Sequence, residues 1–79
     1  MPRYFFHLHN DIDAMDEEGV ELPDLEAART MARHNVQFAA AESIRDEGHL
    51  VLDHHIDIAD ESGAVVETVR FRDVVTVQG

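Results

Sequence analysis

The feature that most constrains this chain is a regular apolar stripe between Asp24 and Glu47. At 3.6 residues per turn, one face of a helix collects Leu25, Ala28, Ala32, Val36, Ala39 and Ala40. Good helix formers fill the segment, which has no internal glycine or proline. Pro23 suits the first helical turn, and Gly48 supplies a left-handed C-cap. Because alanine is small, we expect this helix to lie close against the layer that it covers.

Met31 and Phe38 form a second apolar strip on the flank of the alanine face. One interpretation makes them the edge of a wide surface that faces the core, because such stripes usually exceed about 100°. The other places them in a subunit interface, where methionine and phenylalanine are enriched.

Alternation of apolar and polar residues on both sides of the helix predicts β-strands. The predicted strands cover residues 2–9, 19–22, 49–60 and 65–77, with a tight turn at 60–63. The fold class is therefore α+β: a single helix packed on one face of a three- to four-stranded, mostly antiparallel sheet, in the order β(β)αββ. Residues 1–79 form one small domain. The first strand lies either beside the last strand, which we favour, or parallel to the second long strand after a right-handed crossover.

The same alternation assigns side chains to the two faces of the sheet. The residues predicted to face the helix include Tyr4, Phe6, Leu8, Val65, Val69 and Phe71. Asp73 interrupts the pattern, so we expect a bulge or bend near Arg72–Val74.

The charge balance limits the classes of partner. Seventeen acidic residues against six basic ones give a formal net charge of −11, which argues against contact with nucleic acid or with an anionic membrane. A basic protein partner is electrostatically permitted, although acidity also serves solubility alone. No apolar run approaches the ~20 residues that span a bilayer, and the opening MPRYFFHLHND lacks a signal peptide's long apolar core. We expect a cytoplasmic protein, without cysteine chemistry and without a cofactor.

The sheet face away from the helix is the predicted interface. A chain of this length is marginally stable alone, so a homodimer is expected. The residues assigned to this interface, on the open face or on the helix flank, are Phe5, His7, Asp53, His55, Arg70, Arg72, Met31 and Phe38. A second subunit would explain why an aromatic residue stands among polar ones on that face.

His7 and His9 are the leading candidates for metal ligands. Two residues apart on a strand, they project to the same side, about 7 Å apart by strand rise. Both imidazoles can reach one zinc or nickel ion, with His55 or Asp57 completing the site. The alternative is that these are ordinary surface histidines.

The acidic segment and the serines give little support to other chemistry. Asp11, Asp13, Asp16, Glu17 and Glu18 suggest calcium, but Met15 occupies a ligand position of the EF-hand pattern. A solvated turn is the better interpretation. There is no nucleophile elbow and no glycine-rich phosphate loop, and we expect no deep pocket of ~300 Å³ or more. The sequence therefore predicts a protein that is not an enzyme.

Three motifs point to a known family: MPRYFFHLHN at the start, DEEGVELPDLEAA before and into the helix, and FRD near the end. Together they resemble a domain of unknown function found in small alphaproteobacterial proteins, over nearly the whole chain. The resemblance implies an α+β fold and a cytoplasmic bacterial protein, and it implies no activity. We expect a self-associating interaction module, with a metal-binding or metal-responsive protein as the alternative.

Overall fold

The computed structural model describes residues 1–10 and 13–78, and this part of the chain forms five strands and two helices. In chain order the elements are β1 (Arg3–His9), β2 (Asp13–Ala14), β3 (Val20–Glu21), α1 (Leu25–Glu47), β4 (His55–Ala59), β5 (Val65–Arg70) and α2 (Phe71–Val74). The predicted class is confirmed, because α1 packs on one face of an antiparallel sheet. Two elements were not predicted, namely the two-residue strand β2 and the four-residue helix α2.

The sheet order is β2-β1-β4-β5, with β3 paired to the start of β1, and all these pairings are antiparallel. The favoured position beside the last strand is wrong, since β1 lies beside β4. The alternative named that neighbour correctly, but β1 runs antiparallel to β4 and not parallel to it. The short strand β3 explains this result. It reverses the chain before α1 begins, so the helix carries the chain back and β4 enters in the opposite direction to β1.

Local signals at its two ends set the limits of α1. The Asp24 carboxylate accepts a hydrogen bond from the Ala27 backbone N–H at 2.9 Å and caps the first turn. Pro23 therefore precedes the helix instead of lying in its first turn. At the other end Gly48 has φ 72°, and its N–H donates to the Ile44 and Ser43 carbonyls.

The core lies between the alanine face of α1 and the sheet. The buried members are Ala28, Ala32, Val36, Ala40, Ile56, Ile58, Val69 and Phe71, and Tyr4, Phe6 and Leu8 pack against them. This confirms the predicted helix face and the predicted inner side of β1. Met31 is half-buried, whereas Phe38 is 68% exposed on the far side of α1.

The second long strand is shorter than predicted, because β4 begins only at His55. β1 ends at His9, which pairs with His55. Residues 49–54, which precede His55, therefore have no part of β1 beside them. They form a turn in which the His54 N–H donates to the Val51 carbonyl at 3.3 Å. Leu50 packs against the core from this turn.

The third long strand also ends early, at Arg70, and the chain turns into α2. The Phe71 N–H still donates to the His54 carbonyl at 2.8 Å, which continues the β4–β5 register by one residue before the chain turns. The Asp73 carboxylate accepts from the Arg70 N–H at 3.3 Å and favours the helical turn. A helix therefore stands where a bulge or bend was expected.

The irregularity of the sheet lies instead between Ile58 and Ala59, where the β4–β5 register shifts. Val65, at the start of β5, is 55% exposed, so its predicted place against the helix is wrong. The next inward side chain, Glu67, meets Arg29 of α1 at 2.5 Å.

Among the residues that the structure describes, neither helix combines the length and the apolar character needed to cross a bilayer.

Candidate metal centre

Three strands bring chemistry-bearing side chains together on the sheet face that α1 leaves open. The register sets His9 of β1 beside His55 of β4, and His55 beside Arg70 of β5. One row along, His7 pairs with Asp57, and Asp57 pairs with Thr68. Because alternate residues of a strand share a face, these rows form a polar patch.

Within this patch His9, His55 and Asp57 converge on one point. One ligand atom from each residue lies within 4.8 Å of the others. The His9 Nε2 is 3.2 Å from the Asp57 Oδ2, and the His55 Nε2 is 3.8 Å from the Asp57 Oδ1. The two imidazoles stack with their centroids 4.9 Å apart. All three side chains are half-buried, and together they define the candidate metal centre.

These spacings are close to those that a small divalent ion needs. With ligand bonds of about 2.0–2.1 Å, two ligand atoms of a tetrahedral zinc ion lie roughly 3.3 Å apart. The two imidazole–carboxylate distances, 3.2 and 3.8 Å, bracket that value. Side-chain adjustments on the order of an ångström would therefore close the site around an ion.

Each candidate ligand also has a second hydrogen-bonding partner outside the cluster. The His9 Nδ1 lies 3.0 Å from an Asp13 carboxylate oxygen, and the His55 Nδ1 lies 3.3 Å from the Asp53 carbonyl oxygen. These oxygens accept and do not donate, so each Nδ1 carries a proton. In the neutral form of either histidine, the Nε2 then keeps the lone pair that a metal ion needs. The Thr68 hydroxyl donates to the Asp57 carboxylate at 2.8 Å. Partners of this kind orient metal ligands in known sites.

His7, predicted as a ligand, is engaged elsewhere. Its Nδ1 accepts a hydrogen bond from the Asp16 backbone N–H at 3.0 Å. Neutral His7 therefore carries its proton on Nε2, opposite to the arrangement of His9. The structure brings the other three predicted ligands together and turns His7 toward the acidic segment.

Asp16 anchors that segment to β1. Its carboxylate accepts from the Phe6 N–H at 3.1 Å, and it also accepts from the Glu18 and Gly19 N–H groups at 3.1 and 3.0 Å. Burial acts to raise the pKa of Asp16, but these hydrogen bonds and the nearby His7 outweigh it and hold the pKa below its usual range. The solvated turn predicted here is thus a structured one. Asp11, part of the same prediction, lies outside the described residues.

The residues predicted as an interface are spread over three parts of the molecule. Phe5, His7, His55 and Arg70 lie on β1, β4 and β5, whereas Met31 and Phe38 lie on α1. Asp53 and Arg72 lie off the sheet, where they pair with each other between the β4 approach and α2. Their predicted positions on strands are wrong, because both strands are shorter than expected.

Asp13 is a member of the candidate site that sequence reasoning missed, since it was grouped with the calcium alternative. Its pairing with His9 follows from the hairpin that joins β1 and β2. The turn-prone Asn–Asp pair at positions 10–11 is the signal that could have revealed it.

An open polar cleft of about 440 Å³ lies on the opposite side, between α1, β5 and α2. Its lining consists of Arg29, Arg33, Glu67, Thr68, Val69 and Asp73. The volume exceeds what we expected of so small a chain. However, Arg29 is already paired with Glu26 and Glu67, and no histidine borders the cleft. The histidine cluster remains the stronger candidate.

Comparison with known proteins identifies a family without assigning an activity. No curated protein and no solved structure matches the chain. The family model of a domain of unknown function, DUF6894, matches residues 3–72. That span contains the three candidate ligands as well as Asp13, and the match agrees with the resemblance noted in the sequence. The chain therefore belongs to the DUF6894 family.

Proposed function

We propose that this protein binds a divalent transition-metal ion through His9, His55 and Asp57. The observation that carries the proposal is the convergence of these three groups, each already oriented by a second partner. Two imidazoles and one carboxylate suit zinc, copper or nickel better than magnesium or calcium. The acidic surface of a chain with a net charge of −11 would further attract cations.

The competing interpretation is an ordinary cluster of surface histidines. A protonated His9 could donate to Asp13 and Asp57 at the observed distances of 3.0 and 3.2 Å without a metal. His55 fits that interpretation less well. Its Nδ1 proton points to the Asp53 carbonyl, and its Nε2 is 3.8 Å from the Asp57 carboxylate, too far for a hydrogen bond. An ion between the two groups would satisfy both.

Isothermal titration calorimetry with Zn²⁺ and Ni²⁺ tests the proposal. We expect one-to-one binding with a micromolar dissociation constant. The variant His55→Ala should lose more than the roughly 10–100-fold in affinity that outer-shell substitutions typically cost. His34→Ala is the matched control, because His34 is exposed on α1 and lies outside the cluster. Absence of uptake by the wild type, or equal losses in both variants, would contradict the proposal.

Self-association through the flank formed by Met31 and Phe38 is a second candidate function. It is supported by Phe38, an aromatic side chain that is 68% exposed on the solvent side of α1. The predicted product is a homodimer. Sedimentation equilibrium at tens of micromolar protein should then show a dimer for the wild type and a monomer for Phe38→Ser. A wild-type monomer under these conditions would remove this candidate.

The remaining sequence-based expectations stay predictions. A basic protein partner is supported by the net charge alone. A non-enzymatic role and a cytoplasmic location likewise rest on the sequence.

A further inference from the structure

We infer that Asp13 is a positioning residue of the metal site, and that through it metal occupancy fastens β2, the start of the acidic segment (residues 13–21), to β1. This inference rests on the proposed function. It assigns a regulated element to the site, namely β2 (Asp13–Ala14), which begins the acidic segment.

The contact between His9 and Asp13 joins the site to the segment. β2 pairs with the end of β1 so that His9 and Asp13 are direct neighbours, and the Nδ1–Oδ1 distance is 3.0 Å. With its proton on Nδ1, His9 presents the Nε2 lone pair toward Asp57 and His55. Asp13 therefore selects the tautomer that a metal ion requires.

The Asp13 side chain is expected to contribute little to the stability of the fold. It is 69% exposed, and among the described residues it pairs with His9. An exposed pair of this kind contributes little to the stability of a fold. Substitution of Asp13 should therefore change metal affinity far more than it changes stability, which makes the role measurable.

The coupling is reciprocal. A cation on Nε2 draws electron density from the imidazole and strengthens the Nδ1–H donor, so Asp13 should be held more tightly when metal is bound. The free energy by which Asp13 favours metal binding must equal that by which metal favours the docked position of Asp13. Farther along the segment, Asp16 is attached to His7 without regard to metal. The change caused by metal binding should therefore be largest at β2.

Zinc titration of two alanine variants tests the inference. Asp13→Ala should bind Zn²⁺ about 10–100-fold more weakly than the wild type. Glu17→Ala, which removes the same charge from an exposed position in the same segment, should bind within a fewfold of the wild type. Asp13→Asn keeps an acceptor oxygen and should recover part of the affinity, which a purely electrostatic effect would not allow.

Amide hydrogen exchange followed by NMR supplies the second readout. Zinc should slow exchange at Ala14 in the wild type and leave that rate unchanged in Asp13→Ala. If the wild type takes up no zinc, the proposed function fails and the inference fails with it. If the wild type binds zinc but Asp13→Ala binds it as tightly as Glu17→Ala does, only the inference is overturned.

Discussion

Replacement of Gly19 by alanine should destabilise this fold more than the same change at another left-handed glycine. Gly19 has φ 69°, and a Cβ built there would lie 2.9 Å from the Arg3 Cγ, the Phe5 ring and the Tyr4 carbonyl oxygen. The Arg3 side chain can move, but the carbonyl belongs to the β1 backbone. Gly63 has φ 89°, and apart from its own atoms and those of its two chain neighbours no heavy atom lies within 4 Å of its Cβ position. It is therefore the matched control.

The magnitude follows from two separable costs. An alanine in the left-handed region costs about 1–2 kcal/mol, and both variants incur this cost. Overpacking adds about 1–3 kcal/mol, and only Gly19→Ala incurs it. For a domain of this size each kcal/mol lowers the melting temperature by about 4–8 °C. Gly19→Ala should therefore unfold at a clearly lower temperature than Gly63→Ala.

Urea denaturation and thermal melts followed by circular dichroism measure both effects on the same samples. Equal losses in the two variants would show that Gly19, in the acidic segment, does not lie close against β1. A larger loss in Gly63→Ala would have the same meaning.

Three further changes test the core, the acidic segment and the helix cap. Phe71→Ala, at a residue 1% exposed, should cost about 3–5 kcal/mol, whereas Val77→Ala at a residue 71% exposed should cost less than about 0.5 kcal/mol; similar losses in chemical denaturation would contradict the assigned core. Asp16→Ala should cost about 1–2 kcal/mol at neutral pH, because three accepted hydrogen bonds are lost. Since the folded pKa of Asp16 lies below its usual 3.8, the stabilisation is present above that value and is lost as pH falls through the folded pKa, so the difference from the wild type should shrink as the pH is lowered below 3.8. Asp24→Ala should cost about 1 kcal/mol through loss of the N-cap, and an unchanged urea midpoint would argue against the cap.

The sequence predicted best those features that local chemistry sets. Asp24 and Gly48 limit α1 through their own side chain or backbone, and the alanine stripe identifies the buried face. Strand lengths were predicted poorly, because a strand extends only as far as its neighbour. β4 starts at His55 since β1 ends at His9, and no local pattern in residues 49–54 encodes that limit.

The candidate site was predictable in its residues but not in its geometry. His9, His55 and Asp57 stood out as possible ligands, yet their convergence depends on the register between β1 and β4. His7 has the same residue type and the same spacing pattern, but a backbone N–H of the acidic segment takes its Nδ1. That contact forms only after the chain returns from the hairpin, so spacing alone could not separate His7 from His9.

Whether His9 and His55 bind the ion is decided by ¹⁵N NMR of the histidine side chains during addition of one equivalent of Zn²⁺. The chain has six histidines, of which two are candidate ligands. We predict that the Nε2 resonances of His9 and His55 shift strongly while those of His7 and His34 stay in place. Shifts spread evenly over the histidines, or confined to residues other than His9 and His55, would contradict the account.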